Sequence, residues 1–201
     1  MKIFGHPGST CTRKVLMTLA ETQTPYEFIL VELGKGEHKQ QPHLSRQPFG
    51  QVPALEDENL KMYESRAIAR YINRKVGGKL EPSDLVGQAR MEQWISVETS
   101  NFSGAAMKFI FQHTFGRAQA KEVLDAAQKQ IDLALDVLNA ALDGREYLVG
   151  DQFTLADVCF MPYFEYLMNS PEKESITKRA AVRAWWSRVG ERPAWRKVAG
   201  R

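Results

Sequence analysis

The sequence predicts a small α/β domain followed by an all-helical one. Three observations predict it. Strand-like and helix-like patterning alternate through the first third, a Gly/Pro-containing segment at 77–84 breaks the pattern, and only helical spacing follows.

The elements follow in order. Residues 1–5 are a short apolar start, ended by Pro7-Gly8. Ser9 and Thr10 are good helix caps, and Val15, Leu16, Leu19 and Ala20 follow at helical spacing. Residues 26–31 (YEFILV) are rich in aromatic and β-branched residues and read as a strand. Polar chain fills 34–47. Residues 52–55 form a second short strand, Asp57-Glu58-Asn59 a tight turn, and 60–63 a third strand. Glu64-Ser65 opens a helix carrying Ile68, Ala69 and Ile72. The first domain is therefore β-α-β, loop, β-β-α. Beyond the linker, Met91, Trp94, Ile95, Phe102, Ala105, Ala106 and Phe109 make one helical stripe. Leu124, Ala127, Ile131, Leu135, Leu138 and Leu142 make another. Thr154 to Asp157 opens a third helix, a fourth lies near 180–189, and a short one restarts at Pro193.

Composition narrows the function. A hydrophobic fraction of 43% and a charged fraction of 25% are ordinary for a globular chain. No apolar run approaches the roughly 18–20 residues that cross a bilayer, and residues 1–7 lack the apolar core of a signal peptide, so a cytoplasmic protein is expected. Two cysteines make no disulfide framework, and with four histidines they suggest no metal-ligand spacing. A net charge of +3 is too small for a nucleic-acid footprint. The basic stretch 178–201 reads instead as a solvated helix face over buried tryptophans.

Four segments carry chemistry. His6-Pro7-Gly8-Ser9-Thr10-Cys11 places hydroxyl and thiol side chains at a helix N-terminus, where free N–H groups and the helix dipole favour anions. Ser9 can donate to a bound thiolate, Cys11 can itself be the thiolate, or both residues can merely cap and pack. Phe49-Gly50-Gln51-Val52-Pro53-Ala54 offers a strand edge, before a proline that can be cis, to a peptide-like ligand. Glu64-Ser65 places an acid for an ammonium beside a second helix start for a carboxylate. His38-Lys39 can neutralise another carboxylate. Together they describe a site for a small peptide with one thiol, two carboxylates and one amine, which is the inventory of glutathione.

On these residues the sequence resembles the cytosolic glutathione transferases, the serine-type phi class above all. The matching stretches are 4–9 (FGHPGS), 31–39 (VELGKGEHK), 44–54 (LSRQPFGQVPA) and 64–68 (ESRAI), with looser matches at 147–150, 153–157 and 192–195. The resemblance implies a thioredoxin-like N-terminal domain at 1–76, a linker at 77–84, and an all-α domain at 85–201 that contributes the electrophile site, assembled as a homodimer. It implies a transferase of detoxification type that uses glutathione as co-substrate and no metal, conjugating it to apolar electrophiles, with peroxidase activity as a companion. Ser9 matches the catalytic serine. His38, Lys39, Gln51, Val52, Pro53, Glu64 and Ser65 match the glutathione site, with Pro53 cis. Thr154 and Asp157 match a structural capping box. Phe49 resembles a dimer anchor. Met107, Phe111, Phe115 and Tyr163 are candidates for the electrophile pocket, expected between the domains, with Phe111 and Phe115 on one helix face. Glu98 is a candidate for the dimer cleft. The sequence departs from the pattern at Cys11, two residues after the serine. That leaves a Cys11-dependent thiol–disulfide oxidoreductase or lyase as one alternative. A non-enzymatic ligand-binding protein of the same fold is the other.

Overall fold

The computed structural model describes residues 1–201. The chain forms two compact units, Met1–Lys79 with Pro193–Arg201, and Leu80–Arg192.

The first unit is built on strands β1 (Lys2–Gly5), β2 (Glu27–Leu30), β3 (Ala54–Asp57) and β4 (Leu60–Tyr63), in the order β2-β1-β3-β4. β1 runs parallel to β2 and antiparallel to β3, and β3 pairs antiparallel with β4. This is the thioredoxin-like arrangement. Strand alternation sends neighbouring residues to opposite faces. Ile3 and Leu55 pack with Val15, Leu16 and Leu19 of α1 (Thr10–Thr22) and with Ile68 and Ile72 of α2 (Ser65–Lys75). Phe4, Val31 and Ala54 form a smaller cluster of their own. The polar stretch expected at 34–47 is more ordered than its composition suggests. It folds into three single 3₁₀ turns, Leu33–Lys35, Glu37–Lys39 and His43–Ser45.

Asp57, at the end of β3, accepts from Tyr71 Oη at 2.7 Å and from Lys75 Nζ. The lysine and tyrosine donors hold its carboxyl below the usual 3.8.

The second unit is helical: α3 (Leu85–Val97), α4 (Ser103–His113), α5 (Lys121–Leu142), α6 (Leu155–Leu167), α7 (Lys173–Thr177) and α8 (Ala180–Val189). The stripe from Met91 to Phe109 runs through α3 and α4, joined by a wider π turn at Glu98–Phe102. Phe102 is fully buried against Phe160 and Phe164, with ring centroids 5.2 and 5.5 Å away. Phe164 in turn meets Trp185 edge-on at 4.9 Å. The five-residue α7 carries no periodic signal long enough to read from sequence.

One boundary differs from the expected 85–201. Helix α9 (Pro193–Ala199) belongs to the first unit, where it lies against α1 and Val198 joins that core. A seven-residue helix cannot stand alone in water, and Trp195, fully buried, anchors it. Trp185, Trp186 and Trp195 are all buried, and of the basic residues in the stretch Arg179 is buried too, paired with Asp132 and Asp136. No helix is long and apolar enough to cross a membrane.

Candidate functional site

The pairing registers gather the candidate segments. Phe4 pairs with Ala54 and Ala54 with Tyr63, while Gly5 pairs with Leu30. The turn after β1, the loop after β2, the chain entering β3 and the chain leaving β4 therefore share one end of the sheet.

The turn after β1 is tight because Gly5 has no side chain. A Cβ there would lie 2.6 Å from Thr12 Cγ2. The Ser9 N–H donates to His6 O at 2.9 Å, and Arg13 Nε donates to Pro7 O at 2.8 Å. Ser9, with φ −80 and ψ 127, is the N-cap of α1, and its Oγ accepts from the Thr12 N–H at 3.2 Å. As an acceptor in that bond, the hydroxyl retains its own proton for donation elsewhere. Ser9 is half-buried; so is Cys11, in the first turn of the same helix.

The loop after β2 closes on the chain before β3. Lys39 Nζ donates to Phe49 O at 3.0 Å. Gly50 permits the approach: its φ is +60, and a Cβ there would meet Lys39 Cδ at 2.7 Å and His38 O at 2.8 Å. The main chain of Gln51 is held on both sides by buried side chains. His43 Nε2 donates to its carbonyl at 2.6 Å, and its N–H donates to Gln47 Oε1 at 3.3 Å. Val52 follows with no main-chain hydrogen bond inside the chain, and the Val52–Pro53 peptide is cis. Sequence reasoning missed His43 and Gln47. The signal was available as polar residues six and ten places before Pro53, but nothing in the sequence marks them as buried.

At the start of α2, Glu64 is the N-cap with φ 72 and ψ 105. A non-glycine residue at such a φ is strained, and strain of this kind collects at functional sites. Glu64 is exposed, whereas Ser65 is 2% exposed and its Oγ has no hydrogen-bond partner.

The second unit sorts the remaining candidates. The Phe115 ring lies 6.2 Å from Phe111 and 5.8 Å from Tyr166. Phe115 lies just beyond α4, so the shared helix face expected for the two phenylalanines is instead a contact across the helix end. Met107 and Phe111 are half-buried and Phe115 is exposed. Tyr163 departs from expectation: it is 2% exposed and packs edge-on against Phe102, because its helix turns an almost wholly apolar face inward. Tyr166, three residues on, is the half-buried aromatic that sequence reasoning overlooked. Glu98, the candidate for the dimer cleft, is fully buried in the π turn. Phe49 is 64% exposed, with Tyr63 edge-on at 6.0 Å.

The box at α6 is complete. Thr154 Oγ1 caps the helix, and Asp157 Oδ2 accepts the Thr154 N–H at 2.9 Å. Asp157 Oδ1 also accepts from the Leu148 N–H at 3.1 Å and from Trp185 Nε1 at 2.8 Å. Burial pushes the Asp157 carboxyl up, against the pull of these donors.

Comparison with known proteins bears on this geometry directly. The N-terminal domain model of glutathione S-transferases matches residues 1–74, and the C-terminal domain model matches residues 101–193. The chain belongs to the glutathione S-transferase family. Its curated relatives are plant phi-class transferases. Glutathione S-transferase F11 of Arabidopsis thaliana is 38% identical over 206 residues, covering 98% of this chain and 96% of the relative. Glutathione S-transferase PARB of Nicotiana tabacum is 39% identical over 204 residues, with coverage of 98% and 96%. Among solved structures, glutathione transferase F2 from Populus trichocarpa superposes with a TM-score of 0.94 at 34% identity, covering 99% of this chain and 97% of that one. Glutathione S-transferase-I, solved with lactoylglutathione bound, gives 0.91 at 33% identity, with coverage of 99% and 98%. The protein is therefore a glutathione transferase of the phi-like class.

Proposed function

We propose that this transferase binds glutathione along the sheet end described above and ionises its thiol through Ser9. The observation that carries the reading is the corner at Glu64–Ser65. A strained N-cap aims the first turn of α2 and leaves a buried hydroxyl unpaired, which is the arrangement a ligand carboxylate completes. The Glu64 carboxylate takes the ammonium of the γ-glutamyl group. The unbonded main chain of Val52, beside the clamped Gln51, pairs with the cysteinyl backbone in the manner of an added strand. Lys39, with His38 beside it, neutralises the glycyl carboxylate.

Ser9 supplies the chemistry. Its Oγ is fixed by the Thr12 N–H, so its proton points away from that bond and can be donated to the sulfur. A hydrogen bond to a charged partner contributes about 1.5–3 kcal/mol. At about 1.4 kcal/mol per unit, that lowers the thiol pKa by roughly one to two units. The thiolate is the nucleophile. It adds to an apolar electrophile or displaces its leaving group, or it attacks the outer oxygen of an organic hydroperoxide, breaking the O–O bond to give the sulfenic acid of glutathione and an alcohol. Within the second unit, Met107, Phe111, Phe115 and Tyr166 are our candidates for contact with the apolar group. Phe49 with Tyr63 is our candidate contact for a homodimer. A related transferase that carries a glutathione derivative supports the ligand class.

Calorimetric titration with glutathione tests the binding corner. Ser65→Ala weakens binding about tenfold, while the melting temperature holds or rises, because an unpaired buried hydroxyl is removed. Unchanged affinity in that variant contradicts the assignment.

A further inference from the structure

The chain leaving α4 folds back over one of the aromatic residues assigned to the electrophile, and it brings a cation with it. The helix ends at His113, and the Thr114 and Phe115 N–H groups both donate to Ile110 O, at 2.9 and 3.1 Å. Gly116, with φ +61, then reverses the chain. The Arg117 N–H donates to Phe111 O at 2.8 Å, and the guanidinium carbon lies 5.3 Å from the centre of the Phe111 ring. Gln119 closes the turn. Its N–H donates to Gln112 Oε1 at 2.7 Å, and its Nε2 donates to Arg117 O at 2.8 Å. The main chain of Arg117 is therefore held on both sides, so the cation is placed over the ring in advance.

This cation is uncommitted. A guanidinium has five N–H donors, and those of Arg117 have no hydrogen-bond or ion-pair partner within the chain. Glu172, the carboxylate joined to the same helix end, is already taken: it meets His113 Nε2 at 3.5 Å and accepts from Ser170 Oγ at 2.6 Å. Beside Phe111 the aromatic row continues through Phe115, 6.2 Å away, to Tyr166, a further 5.8 Å. All of these residues belong to the second unit.

We propose that Arg117 is a specificity-determining residue that favours aromatic electrophiles bearing a carboxylate. The inference rests on the assignment of Phe111, Phe115 and Tyr166 to the electrophile. The ring of the electrophile packs on the aromatic row, and its carboxylate accepts from the Arg117 guanidinium, whose fork of donors matches a carboxylate. The reaction itself is unchanged: with an aryl chloride, the glutathione sulfur bonds to the ring carbon, the C–Cl bond breaks, and chloride leaves with the electron pair. Arg117 is exposed, so the preference is modest and is weakened by salt.

The experiment compares conjugation of two matched electrophiles by the full-length protein, 4-chloro-3,5-dinitrobenzoate and the neutral 4-chloro-3,5-dinitrobenzamide. Each kcat/KM is divided by the uncatalysed rate constant with glutathione. The expected result is a preference of about fivefold for the benzoate in the wild-type protein. The preference shrinks as sodium chloride is raised from about 50 to about 500 mM. Arg117→Gln removes it while leaving the benzamide within about twofold of wild type, and Arg117→Glu reverses it. As an exposed residue, Arg117 tolerates both substitutions. Equal treatment of the two electrophiles by the wild-type protein overturns the proposal, as do equal losses on both in Arg117→Gln; in either case the transferase reading stands. Turnover of neither electrophile by the wild-type protein removes that reading and this one with it.

Discussion

Helices α1 and α6 both begin on a hydroxyl residue, and the two caps are built differently. At α6 the box is closed. Thr154 and Asp157 bond to each other, and Asp157 also receives the Leu148 N–H and the Trp185 indole, all of it buried. At α1 the cap is open. Ser9 accepts the Thr12 N–H, is half-buried, and has a proton left to give. The start of α2 is more open still, with a strained Glu64 and an unpaired Ser65 Oγ. The same local chemistry thus serves two ends. Where every donor and acceptor is matched internally, a cap contributes stability; where one is left unmatched, it can serve a ligand.

The contrast is easiest to break at α6. Asp157→Ala strands three buried N–H donors and is expected to cost about 3–4 kcal/mol in a urea unfolding titration. Thr154→Ala, which removes the cap and the long 3.3 Å bond from Thr154 Oγ1 to Asp157 but leaves the three N–H donors to that carboxylate paired, costs about 1 kcal/mol. Activity per folded molecule stays near wild type in both. If the two variants lose equal stability, the closed network is not what matters there.

A closed cluster in the first unit sharpens the point with pH. Asp57 is held below its ordinary value by Lys75 and Tyr71, so near that value the unfolded chain binds more protons than the folded one. Stability from this group is complete above about pH 4 and is lost as pH falls through the folded value. In the second unit Asp132, held low against its burial by the Gln128 amide and Arg179, and Asp136, held low by Arg179, act with the same sign. Asp57→Asn is therefore less stable than wild type at pH 6, and the gap narrows in unfolding titrations at pH 3. A gap that stays constant with pH would contradict the assignment.

Much of this was legible in the sequence because local chemistry wrote it there. The strands were marked by an apolar start, by aromatic and β-branched residues at 26–31 and by the turn at 57–59, and the helical stripes by their spacing. Ser9, Glu64, Ser65, Thr154 and Asp157 were recognisable because caps are local motifs. His43, Gln47 and Tyr166 were not, since their roles depend on chain that arrives from elsewhere to bury them or stack on them. Tyr163 was misplaced for the same reason: its helix is apolar all round, so periodicity cannot say which aromatic reaches the surface. The transfer of α9 to the first unit is likewise a matter of long-range packing by Trp195 and Val198.

The smallest expected effect lies at Cys11. Cys11→Ser leaves conjugation of glutathione to an aryl halide within about twofold of wild type, because the sulfur that reacts belongs to the ligand. A loss of conjugation in this variant would move the chemistry from the hydroxyl of Ser9 to the thiol of Cys11.

The open cap at α1 is tested most directly by the ultraviolet absorbance of bound glutathione thiolate, titrated against pH for wild type and Ser9→Ala. The account predicts a bound-thiol pKa below the free value in the wild-type complex, rising by about one to two units when the hydroxyl is removed. A bound-thiol pKa that is undepressed, or that is the same in both proteins, would contradict it.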